Sequence, residues 1–192
     1  GWSDGYSFIP TGFNMLSSAN KSNRYNAVSS QVDHRTNGYK FRKESMMYKT
    51  EAAILLIKNA LKAGIKADYV LMDTWFTTEP MIADILVTGL DAIGMVKQLK
   101  QRYTYNNKQY KLSELKKFVS FQGARNIFGS LVVTTTTGIP FQVVFVRNRI
   151  RKSKCLYVLC TDISLEDAEI VRIYGNRWSI ECFFNHLNPF CS

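Results

Sequence analysis

Two carboxylates in this sequence stand where a metal-dependent reaction could use them, and Asp73 is the first. It ends the apolar run Tyr69–Met72, and in open α/β sheets sites collect at the carboxyl ends of strands. Carboxylate oxygens, together with water and substrate oxygens, are the ligands that Mg²⁺ prefers. The alternative is that Asp73 only caps the turn or the helix that follows it.

Glu181 is the second carboxylate, and its neighbours are as informative as the residue itself. Tyr174, Arg177 and Glu181 recur at intervals of three and four residues, so on a helix they share one stripe. That stripe would bring together a phenol, a guanidinium and a carboxylate. The alternative is a solvent-facing Arg–Glu pair on an amphipathic helix, because the same segment carries an apolar face made of Ile180, Phe183, Phe184 and Leu187.

The elements around Asp73 alternate between helix and strand. Apolar residues at helical spacing predict a helix over Glu51–Ala63, and the short run Tyr69–Met72 predicts a buried strand. A second helix fits Glu79–Val87, and a second buried strand fits Ala92–Val96. This order predicts an α/β core.

Residues 102–161 have a different character, because they read as a series of strands. Asn106-Asn107-Lys108 predicts the turn of one hairpin. Gly138-Ile139-Pro140 predicts another, between strands Leu131–Thr137 and Phe141–Arg147, and Leu156–Cys160 predicts a further strand. The sequence therefore predicts a β-rich block between two α/β segments.

The flanking segments complete the prediction. Tyr6–Leu16 predicts a strand or bent hairpin, and the polar stretch Ser17–Lys43 predicts a long connection. Ser164 to Asp167 has the form of a capping box, which predicts a helix over Leu165–Tyr174. A last helix fits Ser179–Leu187.

Composition narrows the class of protein. A length of 192 residues is enough for one domain with a sizeable core. The net charge of +10, from 25 Lys and Arg against 15 Asp and Glu, favours a polyanionic partner such as nucleic acid, although a merely soluble basic protein would look the same. The four cysteines form no CxxC pair, which argues against a zinc site and suits a reducing cytoplasm. No segment predicts a membrane span or a signal peptide.

Several segments together resemble one family. The spacing Tyr174-x2-Arg177-x3-Glu181 resembles the Tyr-Arg-Glu-Lys signature of a large group of bacterial insertion-sequence DDE transposases. The block YVLMDTWFT at 69–77 resembles that family's second-Asp block, and Gly1–Leu16 resembles its second core strand. A β-rich insertion between the second Asp and the Glu is also typical of the group. The resemblance extends from Gly1 to about Phe184.

The resemblance implies an RNase H-like fold and metal-dependent DNA chemistry. The core would comprise residues 1–101 and 162–188, with 102–161 as the β-rich insertion, in a single partial catalytic domain over 1–192. The family activity is DNA strand cleavage and strand transfer with Mg²⁺ or Mn²⁺, two ions in the intact enzyme. Asp73 and Glu181 would be catalytic metal ligands.

The resemblance also implies which residues bind DNA. Arg177 would grip a phosphate with its planar guanidinium, and Tyr174 would donate to the same DNA backbone. Trp178 would stack on an unpaired base or, as the alternative, be a core aromatic. Four basic residues would follow DNA phosphates unless they form only a solvated hairpin: Arg147, Arg149, Arg151 and Lys152. The partner would be double-stranded DNA at transposon ends, bound by dimers in the bacterial cytoplasm, associated with the nucleoid.

Two departures from the family pattern matter. The first Asp of the triad should lie on a strand that precedes Gly1–Leu16, and Asp4 belongs to the later strand, so we do not assign it to the triad. The family's Lys should fall at Asn188, and Pro189 would stop the helix there. We therefore expect an incomplete catalytic domain, from a truncated or frame-shifted copy, whose first strand is missing and which is inactive alone.

Rival hypotheses come from other classes. A non-catalytic remnant that at most binds DNA would carry the same motifs without the first Asp. Another RNase H-like nuclease, such as a resolvase, fits the core, but the Tyr174–Arg177–Glu181 spacing argues against it. A plain β-rich interaction domain would explain residues 102–161 but not Asp73 with Glu181.

Overall fold

The computed structural model describes residues 1–18, 20, 22, 29, 31–97, 101–119, 126–148 and 155–187. Three of the predicted DNA-contacting residues, Arg149, Arg151 and Lys152, lie outside the described residues, as does Asn188. The chain divides into two compact units, one made of residues 1–2 and 9–66 and the other of residues 3–8 and 67–192. All the described candidate site residues belong to the second unit.

The first unit contains two helices, α1 (Asn37–Glu44) and α2 (Lys49–Lys62). α2 confirms the predicted helix. The prediction of a connection as far as Lys43 is wrong, since α1 occupies its end. α1 carries only two large apolar side chains, Tyr39 and Phe41, which lie two positions apart, so the apolar i, i+3 and i+4 spacing that predicts a helix is absent. Thr36 caps it by accepting the N–H of Tyr39 at 3.3 Å.

Two short strands near the N-terminus, β1 (Trp2–Ser3) and β2 (Phe8–Ile9), form a two-stranded sheet. Between them the Asp4 carboxylate accepts the N–H groups of Tyr6 and Ser7 at 2.9 and 2.7 Å. The strand predicted over Tyr6–Leu16 is therefore confirmed only at Phe8–Ile9.

A mixed seven-stranded sheet is the framework of the second unit. Its order is β3-β4-β9-β8-β7-β5-β6, where β3 and β4 are parallel and the other pairs antiparallel. The strands are β3 (Tyr69–Met72), β4 (Asp91–Val96), β5 (Tyr103–Tyr105), β6 (Lys108–Tyr110), β7 (Ile127–Thr134), β8 (Pro140–Arg147) and β9 (Cys155–Cys160). The α/β class and RNase H-like core are confirmed. The β-rich segment extends the core sheet, because β9 pairs with β4.

The described residues that accompany this sheet include the helices α3 (Glu79–Val87), α4 (Leu112–Leu115), α5 (Asp167–Gly175) and α6 (Trp178–Leu187). α3 confirms the predicted helix, with Pro80 in its first turn where a missing N–H is harmless. The predicted capping box at Ser164 is wrong, because α5 begins only at Asp167. Ser164 instead donates from its N–H and its hydroxyl to Asp162. Within the described ranges, no helix is long and apolar enough to cross a bilayer.

The sheet is covered on both faces. Val143, Val144 and Phe145 are successive residues of β8, and all three are buried, although successive side chains of a strand point to opposite faces. On one face Ile170 of α5 packs into a cluster with four strand residues. The strand members of this cluster are Ile93, Val144, Val158 and Cys160. Ile170 therefore holds α5 against β4, β8 and β9.

Candidate functional site

Asp73 directly follows β3 and organises the turn that leaves it. One of its carboxylate oxygens accepts the N–H groups of Trp75 and Phe76, at 2.8 and 3.2 Å. Its carbonyl oxygen accepts the N–H and hydroxyl of Thr77, at 3.1 and 2.6 Å. The turn-capping alternative is thus confirmed for one carboxylate oxygen. The other accepts no hydrogen bond from any described residue and remains open to a ligand.

Gly94 of the neighbouring strand makes room for this turn. Met72, the last residue of β3, is the register partner of Gly94 in β4. A Cβ atom on Gly94 would lie 2.8 Å from Cγ2 and 3.1 Å from Cβ of Thr77, closer than packed carbon atoms approach. Neither Gly94 nor Thr77 is among the site residues predicted from the sequence. A glycine inside a strand pattern is a signal of close backbone approach and could have found Gly94.

Tyr174 lies in the last turn of α5, and the charge of Asp73, which follows β3, acts on its hydroxyl. Burial raises the pKa of its hydroxyl, and the negative charge of Asp73 raises it further. The charge and hydrogen bond of Arg177 and the backbone of Met95 act in the opposite direction. The phenol is therefore protonated at neutral pH and lies within electrostatic reach of Asp73. Met95, whose backbone bonds the Tyr174 hydroxyl, follows Gly94 in β4 and so lies just past the last residue of β3 that pairs with β4.

Arg177 and Glu181 form the predicted pair between α5 and α6. Nη1 of Arg177 donates to Oε1 of Glu181 at 2.8 Å. The pair is not fully solvent-facing, because the side chains are only 23% and 39% exposed. Burial lowers the pKa of Arg177, but the bonds and charges of Glu181 and Tyr174 outweigh it and leave the pKa raised. The three residues are thus grouped as their spacing predicts, but a turn at Asn176 and Arg177 interrupts the helix between Tyr174 and Glu181. The solvated-pair alternative describes this group poorly.

The guanidinium of Arg177 has an unused donor. Its Nε is buried and has no hydrogen-bond partner among the described residues. Buried polar atoms are nearly always paired, so an unpaired one calls for an explanation such as an absent ligand. The guanidinium also lies over the rings of Tyr174 and Trp178, 5.8 and 5.9 Å from their centroids.

Trp178 opens α6, and its indole is 58% exposed. The alternative that it is a core aromatic is therefore wrong. Its ring is available to an external partner beside Arg177.

Arg147 is the only described member of the predicted basic group, and it belongs to another neighbourhood. Its guanidinium lies 5.3 Å from the ring centroid of Phe128, and Nζ of Lys116 lies 4.6 Å from the same centroid. The sequence analysis did not single out Lys116. Two cations around one ring form a basic patch, which is compatible with phosphate contact and with a solvated hairpin.

The structure brings three predicted residues together, because Arg177 bonds both Tyr174 and Glu181. Asp73 acts on this group through its charge, which raises the pKa of Tyr174. Asp4 does not belong to this group. It caps the turn between β1 and β2, where hydrogen bonds from the N–H groups of Ser7 and Tyr6 lower its pKa. In the part of the chain that the structure describes, no group of three or more His, Cys, Asp or Glu residues could hold a metal ion.

Comparison with protein families identifies a match over residues 46–191, which is more than half of the chain, to the family described as Transposase DDE domain. The matched range includes Asp73, Tyr174, Arg177 and Glu181. A comparison with curated proteins gives no match.

Gly94→Ala tests the close approach of β4 to the Asp73 turn. The added methyl group must displace Thr77, so we expect the free energy of unfolding to fall by about 1–3 kcal/mol, typical of overpacking. Urea denaturation measures this change. The double variant Gly94→Ala/Thr77→Ala should lose less than the sum of the two single variants, because the clash is reduced once the hydroxyl and methyl groups of Thr77 are gone.

Gly175→Ala is the matched control. A Cβ atom there meets nothing within 4 Å, and Ala is the better helix former by up to about 1 kcal/mol. This variant should be neutral or more stable. Equal destabilisation at Gly94 and Gly175, or strict additivity with Thr77→Ala, would contradict the packing argument.

Proposed function

Because the chain belongs to the transposase DDE domain family, we propose that Asp73 and Glu181 are the second and third acids of a site for metal-dependent DNA strand cleavage and strand transfer. Members of this family act on DNA in transposition and use divalent metal ions. The observation that supports the proposal is the group Tyr174, Arg177 and Glu181, in which Arg177 bonds both neighbours, together with the charge of Asp73, which raises the pKa of Tyr174 although it lies about one hundred positions earlier in the chain.

The donor chemistry of the two carboxylates fits a hard divalent cation. Asp73 keeps one oxygen, and Glu181 one oxygen, that accept no hydrogen bond from the described residues. Mg²⁺ or Mn²⁺ bound there would draw its remaining ligands from water and DNA oxygens. In the intact enzyme we propose two such ions, which stabilise charge on the attacking and leaving oxygens of the phosphodiester.

The neighbouring side chains would bind and orient the DNA. Arg177 stays protonated, bonds Glu181 through Nη1 and would present the exposed part of its guanidinium to a phosphate oxygen. The protonated hydroxyl of Tyr174 can donate to the same DNA backbone. The exposed ring of Trp178 can stack on an unpaired base.

Basic side chains elsewhere would extend the contact with double-stranded DNA of the transposon end. Arg147 with Lys116 supplies one described patch, and Arg149, Arg151 and Lys152 are proposed to continue it. Each Lys or Arg that neutralises a phosphate adds a salt-dependent increment to affinity. We further propose that the chain acts as a dimer on DNA, as other insertion-sequence transposases do.

The 192-residue chain by itself is proposed to be inactive in cleavage. Its described residues offer no third acidic, His or Cys ligand to accompany Asp73 and Glu181. The alternative is a non-catalytic remnant that at most binds DNA. Both hypotheses allow DNA binding, and they differ in whether the two carboxylates still bind metal.

Metal binding separates these hypotheses. We expect Mn²⁺, followed by electron paramagnetic resonance of the free ion, to bind the wild-type chain. Asp73→Asn and Glu181→Gln should each raise the apparent Kd by about tenfold or more, because each removes a charged oxygen ligand. Asp84→Asn changes an exposed acid of α3 and is the matched control, with no expected change. Identical Kd values in all four proteins would contradict the assignment.

Arg177→Lys tests the phosphate contact. Lysine keeps the charge but cannot bond Glu181 and a phosphate at the same time, so we expect affinity for a labelled duplex to fall about tenfold, equivalent to roughly 1.4 kcal/mol. Fluorescence anisotropy in EDTA measures binding without metal. Arg172→Lys is the control, because Arg172 is an exposed residue paired with Glu169. An equal loss in both variants would reject a specific role for Arg177.

Cleavage itself should be absent. With Mg²⁺ or Mn²⁺ and a duplex carrying the cognate transposon end, we expect the wild-type chain to cut no faster than Glu181→Gln. Strand cleavage well above that variant would refute the proposed inactivity and show that these residues suffice for catalysis.

A further inference from the structure

Trp75 is an exposed tryptophan placed directly beside a proposed metal ligand. Its indole is 76% exposed, although tryptophan is highly buried on average. Its main-chain N–H donates to Asp73 at 2.8 Å, so the residue is fixed at the carboxyl end of β3. The turn keeps the ring in solvent without using it for packing.

Lys97 supplies a cation at the same edge of the sheet. It directly follows β4, the parallel neighbour of β3, and its Nζ lies 4.7 Å from the centroid of the Trp75 ring. A cation over an aromatic ring is held by the ring's quadrupole, and at an exposed site this attraction is modest. The ammonium keeps most of its hydration and remains available to an anion.

We infer that Trp75 and Lys97 form a subsite for one unpaired DNA base and its adjoining phosphate, next to Asp73. A base would stack on the indole, because stacking accepts any base, while Lys97 would neutralise the phosphate. The inference rests on the proposed function and adds a second aromatic position to Trp178. The positive net charge of the chain favours a nucleic acid over a protein in this place.

The base must be unpaired for a geometric reason. Within a duplex the faces of a base are covered by its neighbours, so an aromatic ring can stack on it only after it leaves the helix or where the strand is single. The subsite therefore favours DNA with a single-stranded extension or an opened end over blunt duplex.

Side-chain removal at Trp75 leaves the Asp73 turn intact, because the bond to Asp73 comes from the main chain. Binding of two probes in EDTA is measured by fluorescence anisotropy: a blunt duplex, and the same duplex with a three-nucleotide single-stranded extension that carries 2-aminopurine. We expect Trp75→Ala to weaken binding of the extended probe about tenfold and that of the blunt duplex by less than about twofold. Trp75→Phe should restore most of the affinity and the quenching of 2-aminopurine.

Lys97→Ala should weaken binding and lower the slope of log affinity against log salt by about one phosphate contact. Two matched controls change exposed residues of the first unit, Phe41→Ala and Lys58→Ala, and should leave both probes unaffected. Thermal unfolding checks that each variant is folded.

The outcomes are distinct. Unchanged binding of the extended probe by Trp75→Ala, or an equal loss on both probes, overturns the subsite while leaving the proposed function intact. Absence of binding to either probe by the wild-type chain overturns the DNA-binding proposal as well. A change in oligomeric state with unchanged DNA affinity would make Trp75 a protein contact and would also overturn the inference.

Discussion

The packing of α5 on the sheet through Ile170 is the contact on which the candidate site depends. Ile170 is buried against β4, β8 and β9, and Tyr174 lies one helical turn later, where it reaches the end of β3 near Asp73. Arg177 lies in the turn between α5 and α6, and it joins the two helices by bonding Tyr174 on one side and Glu181 of α6 on the other. An apolar contact thus positions part of a polar group, because it fixes the helix whose last turn carries Tyr174.

The Asp73 part of the site is fixed by hydrogen bonds within its turn and by the lack of a side chain at Gly94. Asp73 uses one oxygen and its carbonyl to hold the turn, which leaves the other oxygen directed away from those bonds. Gly94 allows Thr77 to approach β4 closely. The Asp73 side chain would lose little conformational freedom on binding a cation, because its hydrogen bonds to the turn already fix its rotamer. The turn-capping and metal-binding hypotheses for Asp73 are therefore compatible, because they use different atoms.

Much of this arrangement could be predicted from sequence, and the errors have physical causes. The strand before Asp73 and the helix Glu79–Val87 carry strong local patterns and are confirmed. α1 was missed because its two large apolar residues, Tyr39 and Phe41, are not at helical spacing. The grouping of Tyr174, Arg177 and Glu181 follows from their spacing, although the turn that separates α5 from α6 at Arg177 does not. The connection of that stripe to Asp73, and the fit of Thr77 against β4, depend on tertiary packing between distant segments, which spacing does not encode.

Two features beside the proposed metal ligands oppose the stability of the fold, the unpaired Nε of Arg177 and the exposed indole of Trp75. Arg177 buries an Nε without a partner among the described residues, which costs free energy in the folded state. Trp75 exposes most of an indole that could have contributed to a core. A fold selected for stability alone would pair the first and bury the second. Each group adjoins one proposed metal ligand, since Arg177 bonds Glu181 and the main chain of Trp75 bonds Asp73. A guanidinium suits a phosphate and an indole suits a base, so the two parts of a nucleotide match the chemistry of the two side chains.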